Sequence, residues 1–307
     1  MTQFMEDREA LQLLKSNQQF YGERFKYTRK ETIDSVDLAK CCFQIDTLIV
    51  HSLCTKLPQK VRVMVFSNEF NESIEENTLP AQLKGLHFGT DFNQPLVKNA
   101  FPSSLGVLFF GHRFNQLISK EVLPESLFYL GFADGEFNQL LVKNSFPSCL
   151  ARLDLGHKFD QPIAMEVLPN SLTHLTFGNT FNQPIERNVL PRSLRYLRFG
   201  VQFNQFIAPN VLPPSITHLI FGMCFDQRID EQMLPPALLE LEFGSFFNHT
   251  IGDLPNTLTH LKFGGCFEKT IDRLPRSLTH LHLGFYFNRD CITCDTSHIA
   301  LSFGDAW

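Results

Sequence analysis

The stretch Pro169-Asn-Ser-Leu172-Thr-His-Leu175-Thr-Phe177-Gly178-Asn-Thr-Phe181-Asn182-Gln-Pro184-Ile185 decides the fold. Leu175-Thr176-Phe177 alternates with a period of two. That predicts a short strand with Leu175 and Phe177 facing inward. Gly178 ends the strand where the backbone must turn. A positive φ or a crowded corner would favour glycine there. Proline has no N–H and fixes φ, which suits the corner that opens the unit.

The unit recurs. Its second phenylalanine returns as Phe70, Phe92, Phe114, Phe137, Phe159, Phe181, Phe203, Phe225, Phe247, Phe267 and Phe287, at spacings of 20 to 23 residues. A proline precedes it by twelve residues in ten units, from Pro58 to Pro275; Pro124 precedes Phe137 by thirteen, because Asp134-Gly135-Glu136 absorbs an insertion. Glycine holds its place in nine of the eleven units, with Ser67 and Ala133 as exceptions. A unit this short is no domain but makes one coil of a solenoid: strand, corner, extended return, corner. Successive strands then lie parallel, ~4.8 Å apart, and eleven coils span roughly 50 Å. Three inward ladders are expected. Leu86 through Leu281 form one and Phe88 through Phe263 the second, with Leu155 and Leu283 filling gaps. The eleven recurring Phe form the third. About two thirds of the 32 Phe of the chain, which has 5 Tyr and 1 Trp, therefore occupy two repeating core positions. Burial of each contributes about 1.5–3 kcal/mol.

The residue after the recurring Phe is Asn in eight units, Asp160 and Asp226 in two, and Glu268 in one. Asn93, Asn115, Asn138, Asn182 and Asn204 read as a structural ladder, because a buried Asn can serve backbone groups of adjacent coils. With these residues in place, Phe181-Asn182-Gln183-Pro184-Ile185, Leu190-Pro191 and Ser193-Leu194-x-x-Leu197-x-Phe199-Gly200 resemble the FNIP repeat, itself similar to leucine-rich repeats in period and strand. The resemblance runs from Pro58 to about Cys294. The fold class is thus a leucine-rich-repeat-like solenoid of short parallel strands. Phe247-Asn-His-Thr-Ile251 and Phe267-Glu-Lys-Thr-Ile271 depart from the pattern. Two residues are lost there before Leu-Pro, so those coils should be tighter on the return side.

Residues 58–294 hold the repeats. Within 45–57, Ile45-x-x-Leu48-x-Val50 fits a capping strand; within 295–307, Leu301-Ser302-Phe303-Gly304 fits another, with Trp307 placed to cover the last rings. Residues 1–44 carry no repeat. Ala10, Leu11, Leu13, Leu14, Phe20 and Tyr21 fall at helical spacings, and Thr28-x-x-Glu31 reads as a capping box. A helical cap explains this segment. Its residues 7–21 also resemble the second half of an F-box, with Ala10, Leu11, Leu14 and Phe20 as docking positions. That resemblance implies a cullin-ligase linker subunit as partner, although the first F-box helix has no counterpart.

Composition bounds the function. The 43% hydrophobic fraction excludes a disordered chain, and a net charge of −5 speaks against a sequence-independent nucleic-acid binder. No apolar run long enough for a membrane helix and no apolar leader-like segment is seen, so the cytosol or nucleus is the expected location, with the eight Cys expected as thiols. Phosphate-loop, nucleophile-elbow and His-Glu-x-x-His patterns are missing, so no enzyme, catalytic residue or cofactor is expected. His260, His280 and His282 on neighbouring coils, and Cys291-x-x-Cys294 with His298, invite a metal reading; exposed histidines and unpaired thiols explain them as well.

Function is left to the residues that do not repeat. Side chains between the inward pairs form two outward columns. One runs Val63, Gly85, Val107, Tyr129, Arg152, His174, Tyr196, His218, Glu240, His260, His280. The other runs Val65, His87, Phe109, Gly131, Asp154, Thr176, Arg198, Ile220, Glu242, Lys262, His282. Tyr and Arg anchor protein interfaces. Tyr129, Arg152, His174, Tyr196, Arg198 and His218 are the expected centre of a protein-binding face. Three functions are expected in descending order: an interaction scaffold, a substrate-recruiting ligase subunit, or a metal-binding protein through the His and Cys at the C-terminal end.

Overall fold

The computed structural model describes residues 47–53, 57, 59–132 and 135–304. Thirteen strands lie among them: β1 (Thr47–Val50), β2 (Val63–Phe66), β3 (Gly85–His87), β4 (Val107–Phe110), β5 (Tyr129–Phe132), β6 (Arg152–Asp154), β7 (His174–Thr176), β8 (Tyr196–Arg198), β9 (His218–Ile220), β10 (Glu240–Glu242), β11 (His260–Lys262), β12 (His280–Leu283) and β13 (Ala300–Phe303). They form one parallel sheet in sequence order. The register has no offset: Leu153, Leu175, Leu197 and Leu219 pair in turn. The expected solenoid is therefore present, and β1 and β13 continue its sheet beyond the eleven repeat strands. Residues 1–44, with Ala10, Leu11, Leu14 and Phe20, lie outside the described residues, as does Trp307.

The inward Leu ladder from Leu86 to Leu281 is buried throughout. The two Phe ladders differ from expectation in one respect: they merge into a double stack. Within a coil the strand Phe lies face to face with the recurring Phe, as in Phe199–Phe203 at 3.9 Å between centroids. Between coils the strand rings are 5.6 Å apart at Phe199–Phe221, and the recurring rings 6.1 Å apart at Phe203–Phe225. Offset stacks at such distances add to the burial of each ring. Leu155 and Leu283 keep the strand column filled where it lacks a ring.

The glycine corner is settled by crowding, not by φ. A Cβ on Gly200 would lie 1.8 Å from the Gly178 carbonyl oxygen, and one on Gly222 1.7 Å from that of Gly200. Left-handed backbone sits instead on the return side, at Asn77, Asn99, Glu121, Asn144, Glu166, Asn188 and Asn210, with φ of 61 to 65°. Asn tolerates that region better than most residues. The 20-residue coils lack two residues in this same segment, which is how their return side is tightened.

Polar groups are spent between coils. Asn182 is half-buried rather than buried, and its Oδ1 accepts from the Asn204 N–H at 2.9 Å and from Gln205 Nε2 at 3.1 Å. Asp160 does the same for Asn182 and Gln183, because only an acceptor is needed. A second ladder was not foreseen. The hydroxyls of Ser171, Ser193 and Ser215 each donate to the carbonyl of a buried Leu one coil earlier, at 2.7 Å.

Two tests follow. Gly200→Ala should lower the thermal midpoint by many degrees or prevent folding, since the only atoms that could yield are backbone. Gly265→Ala, where an added Cβ meets nothing within 4 Å, should leave the midpoint unchanged. Asn182→Asp should be tolerated, while Asn182→Leu should cost about 1–3 kcal/mol in urea unfolding by stranding a backbone N–H.

Candidate protein-binding face

The sheet exposes its outward columns along one side of the solenoid. A hollow of about 810 Å³ lies over the C-terminal ends of the strands. Its wall combines the second column (His87, Asp154, Thr176, Arg198 and Ile220) with the glycine corner and the residues just after it, such as Asn179, Val201 and Met223. Its lining reaches from Asn68 to Ser245. A single hollow touching coils so far apart requires this side to be concave.

The N-terminal part of the face corrects the expectation of free outward columns. Val63, Val107, Phe109 and Tyr129 are buried and pack on one another, with Phe128 beside them. Gly131 permits this, because a Cβ there would sit 2.4 Å from the Phe109 ring. Tyr129 stands edge-on to Phe109 at 4.8 Å, and its hydroxyl hydrogen-bonds the Asp154 carboxylate. Burial and that carboxylate push the phenol far above its usual range, so it stays a neutral donor. Arg152 lies over the Tyr129 ring at 5.2 Å. Tyr129 therefore supports the face rather than forming its surface.

The middle of the face is open. Tyr196 stacks on His174 at 5.6 Å and lies 6.1 Å from His218. Arg195 and Arg198 are exposed. Of the six expected residues, the structure puts Tyr196 and Arg198 on the wall of the hollow and Arg152, His174 and His218 on the adjoining column, in register. Arg195 was missed because it precedes the strand; its signal was the same departure from the repeat that marks the two columns.

Four histidines share a holding device. Thr217 Oγ1 lies 3.2 Å from the Arg195 carbonyl and 2.8 Å from His218 Nδ1. Thr259 Oγ1 is likewise 3.0 Å from the Leu239 carbonyl and 2.9 Å from His260 Nδ1. Thr173–His174 and Thr279–His280 repeat the arrangement. Each hydroxyl thus lies between a backbone carbonyl and an imidazole nitrogen and fixes the ring orientation, and His218 Nε2 lies 3.6 Å from Glu240 Oε1. His260 and His280 stack at 4.3 Å. His282 Nδ1 meets Ser302 Oγ at 2.9 Å. Among the described residues no three His, Cys, Asp or Glu side chains come together as a metal-ligand set. Cys291 and Cys294 are half-buried free thiols near the C-terminal end, and no helix among the described residues is long and apolar enough to cross a membrane.

A family model described as FNIP Repeat matches residues 55–91, 92–135, 137–180, 181–224 and 225–266. No curated protein matches the chain. The crystal structure of CroV588, described as a novel circular LRR protein, is similar with 44% identity and a TM-score of 0.70, over 81% of this chain and 40% of its own. The chain thus spans well under half of that relative. A leucine-rich repeat protein from Bacteroides ovatus aligns over 84% of each chain at 10% identity, with a TM-score of 0.21.

His87 gives this face a measurable pH response. Burial lowers its pKa from 6.5 to about 4, so it is neutral at pH 7 and adds no charge to the hollow. Between those values the unfolded chain binds a proton that the folded chain refuses, so stability is full above about 6.5 and falls as pH drops toward 4. The loss amounts to about 3 kcal/mol. Urea midpoints measured from pH 7 to pH 4 should fall less steeply for His87→Gln than for the wild type.

Proposed function

We propose, for a chain that belongs to the FNIP repeat family, that the open middle of the concave sheet face is a docking surface for a protein partner and that the molecule is a non-catalytic interaction scaffold. One observation carries this reading. The repeated side chains are used between coils, whereas Tyr196 and Arg198 face the hollow and Arg195 lies exposed beside them. Aromatic and Arg side chains are the types that anchor interfaces. The solenoid supplies a long, stiff support for them. Arg152, His174 and His218 complete the face, with Tyr129 packed beneath it.

Residues 7–21 carry the one argument for a second reading, a substrate-recruiting ligase subunit. In that reading Ala10, Leu11, Leu14 and Phe20 dock a cullin-ligase linker subunit while the solenoid holds the target. The two readings differ only in residues 1–44. Recovery of ligase subunits with the full-length chain, and not after deletion of 1–44, supports the receptor; recovery with neither rejects it.

For the face itself, Tyr196→Ala with Arg198→Ala should abolish capture of the proteins that the wild-type chain retains on an affinity resin. The melting temperature should stay within a degree or two, because both side chains lie outside the core. Unchanged capture would remove this face from consideration.

A further inference from the structure

The charge of this chain is unevenly placed. From Arg187 to Phe225 the sequence contains no Asp or Glu but four arginines, Arg187, Arg192, Arg195 and Arg198, within a chain of net charge −5. Three of them, Arg192, Arg195 and Arg198, fall at intervals of three residues on one coil, and all three are exposed. Arg192 lies in the turn closed by the Leu194 N–H on the Pro191 carbonyl, while Arg195 and Arg198 are three residues apart along the chain that enters and forms β8, roughly 10 Å.

Other charges on the face are already committed. Asp154 accepts from the Tyr129 hydroxyl, Lys262 pairs with Glu242 at 2.5 Å, and Arg152 lies over Tyr129. On either side of Arg198, the strand neighbours are Thr176 and Ile220, both uncharged. Asp154 and Glu242 stand two strands away, roughly 10 Å between backbones, and both are engaged, by the Tyr129 hydroxyl and by Lys262. No described carboxylate pairs with Arg192, Arg195 or Arg198. An Arg fork presents donors in a geometry that matches carboxylate and phosphate oxygens. Tyr196, between Arg195 and Arg198 in the chain, is half-buried and shares the wall of the hollow with Arg198, where it adds an aromatic surface.

We infer that the Arg192–Arg198 coil reads an anionic side chain, a carboxylate or a phosphate, on an extended segment of the protein partner. This rests on the docking face proposed above and names the chemistry of what it takes. A nucleic acid fits less well, because the positive charge is confined to one coil and Asp154, Glu240 and Glu242 flank it along the face.

The test is fluorescence anisotropy at low and moderate salt on the full chain, with labelled ten-residue peptides. One alternates Glu and Ser, one replaces every Glu with Gln, and one carries phosphoserine in place of Glu; a ten-nucleotide single strand is the fourth probe. The Glu or the phosphoserine peptide should bind at least roughly tenfold more tightly than the Gln peptide, and which of the two binds more tightly identifies the anion. Arg195→Glu with Arg198→Glu should remove that preference while leaving the melting temperature unchanged, and Arg195→Lys with Arg198→Lys should keep part of it. Equal binding of the Glu, phosphoserine and Gln peptides, an undiminished preference in the charge-reversed variant, or tighter binding of the oligonucleotide than of every peptide overturns the inference. None of those results decides the docking face itself, which stands or falls on partner capture by the Tyr196→Ala, Arg198→Ala chain.

Discussion

Every feature of this molecule depends on the in-register backbone pairing of one coil with the next. Parallel pairing without offset sets each residue beside its own repeat equivalent, one strand spacing away. A residue type is therefore acceptable only if it tolerates copies of itself on both sides. Phenylalanine does, because flat rings stack with an offset. Asparagine does, because its amide oxygen takes a backbone N–H from the next coil. At the glycine corner the backbones come so close that a single carbon would strike a carbonyl. Charges of one sign do not tolerate such stacking, and the outward columns hold no long run of them.

The same constraint explains why the fold was legible in the sequence. Stacking demands repetition, and repetition is visible without coordinates. Leu175, Phe177, Gly178, Phe181 and Asn182 are marked in the sequence because most of the other ten units carry the same residue there. The left-handed turn at Asn188 and the hydroxyl ladder through Ser193 were in the same alignment and were passed over. Neither has a hydrophobic period, and a positive φ at Asn or Glu leaves no mark as plain as glycine.

The candidate site was only half legible, for a related reason. Periodicity tells which side chains point outward but not whether they remain free once there. Tyr129 and Phe109 point outward and are still buried, because Gly131 leaves the space into which the Phe109 ring packs, and Val107 packs alongside. Burial in an outward column is set by the sizes of its neighbours in adjacent coils, so it has to be read across the sheet rather than along the chain. Arg195 lay beyond the alternating triplet and so outside any column drawn from it.

A solenoid in which like stands beside like has little use for a lone charge. Opposite charges one coil apart can neutralise each other, as Lys262 and Glu242 do, and an aromatic ring can hold a cation, as Tyr129 holds Arg152. Arg192, Arg195 and Arg198 have neither kind of neighbour. The stretch from Arg187 to Phe225 around them holds no acidic residue, so their mutual repulsion is left to solvent and salt to screen. Exposed like charges held on a rigid frame lose little conformational freedom when a complementary ligand arrives. On the proposed docking, the arrangement gives up a small amount of stability in the free protein and gains selectivity for what binds it. The repeating residues build the frame, and on the proposed docking the exposed arginines of this coil are what that frame offers a partner.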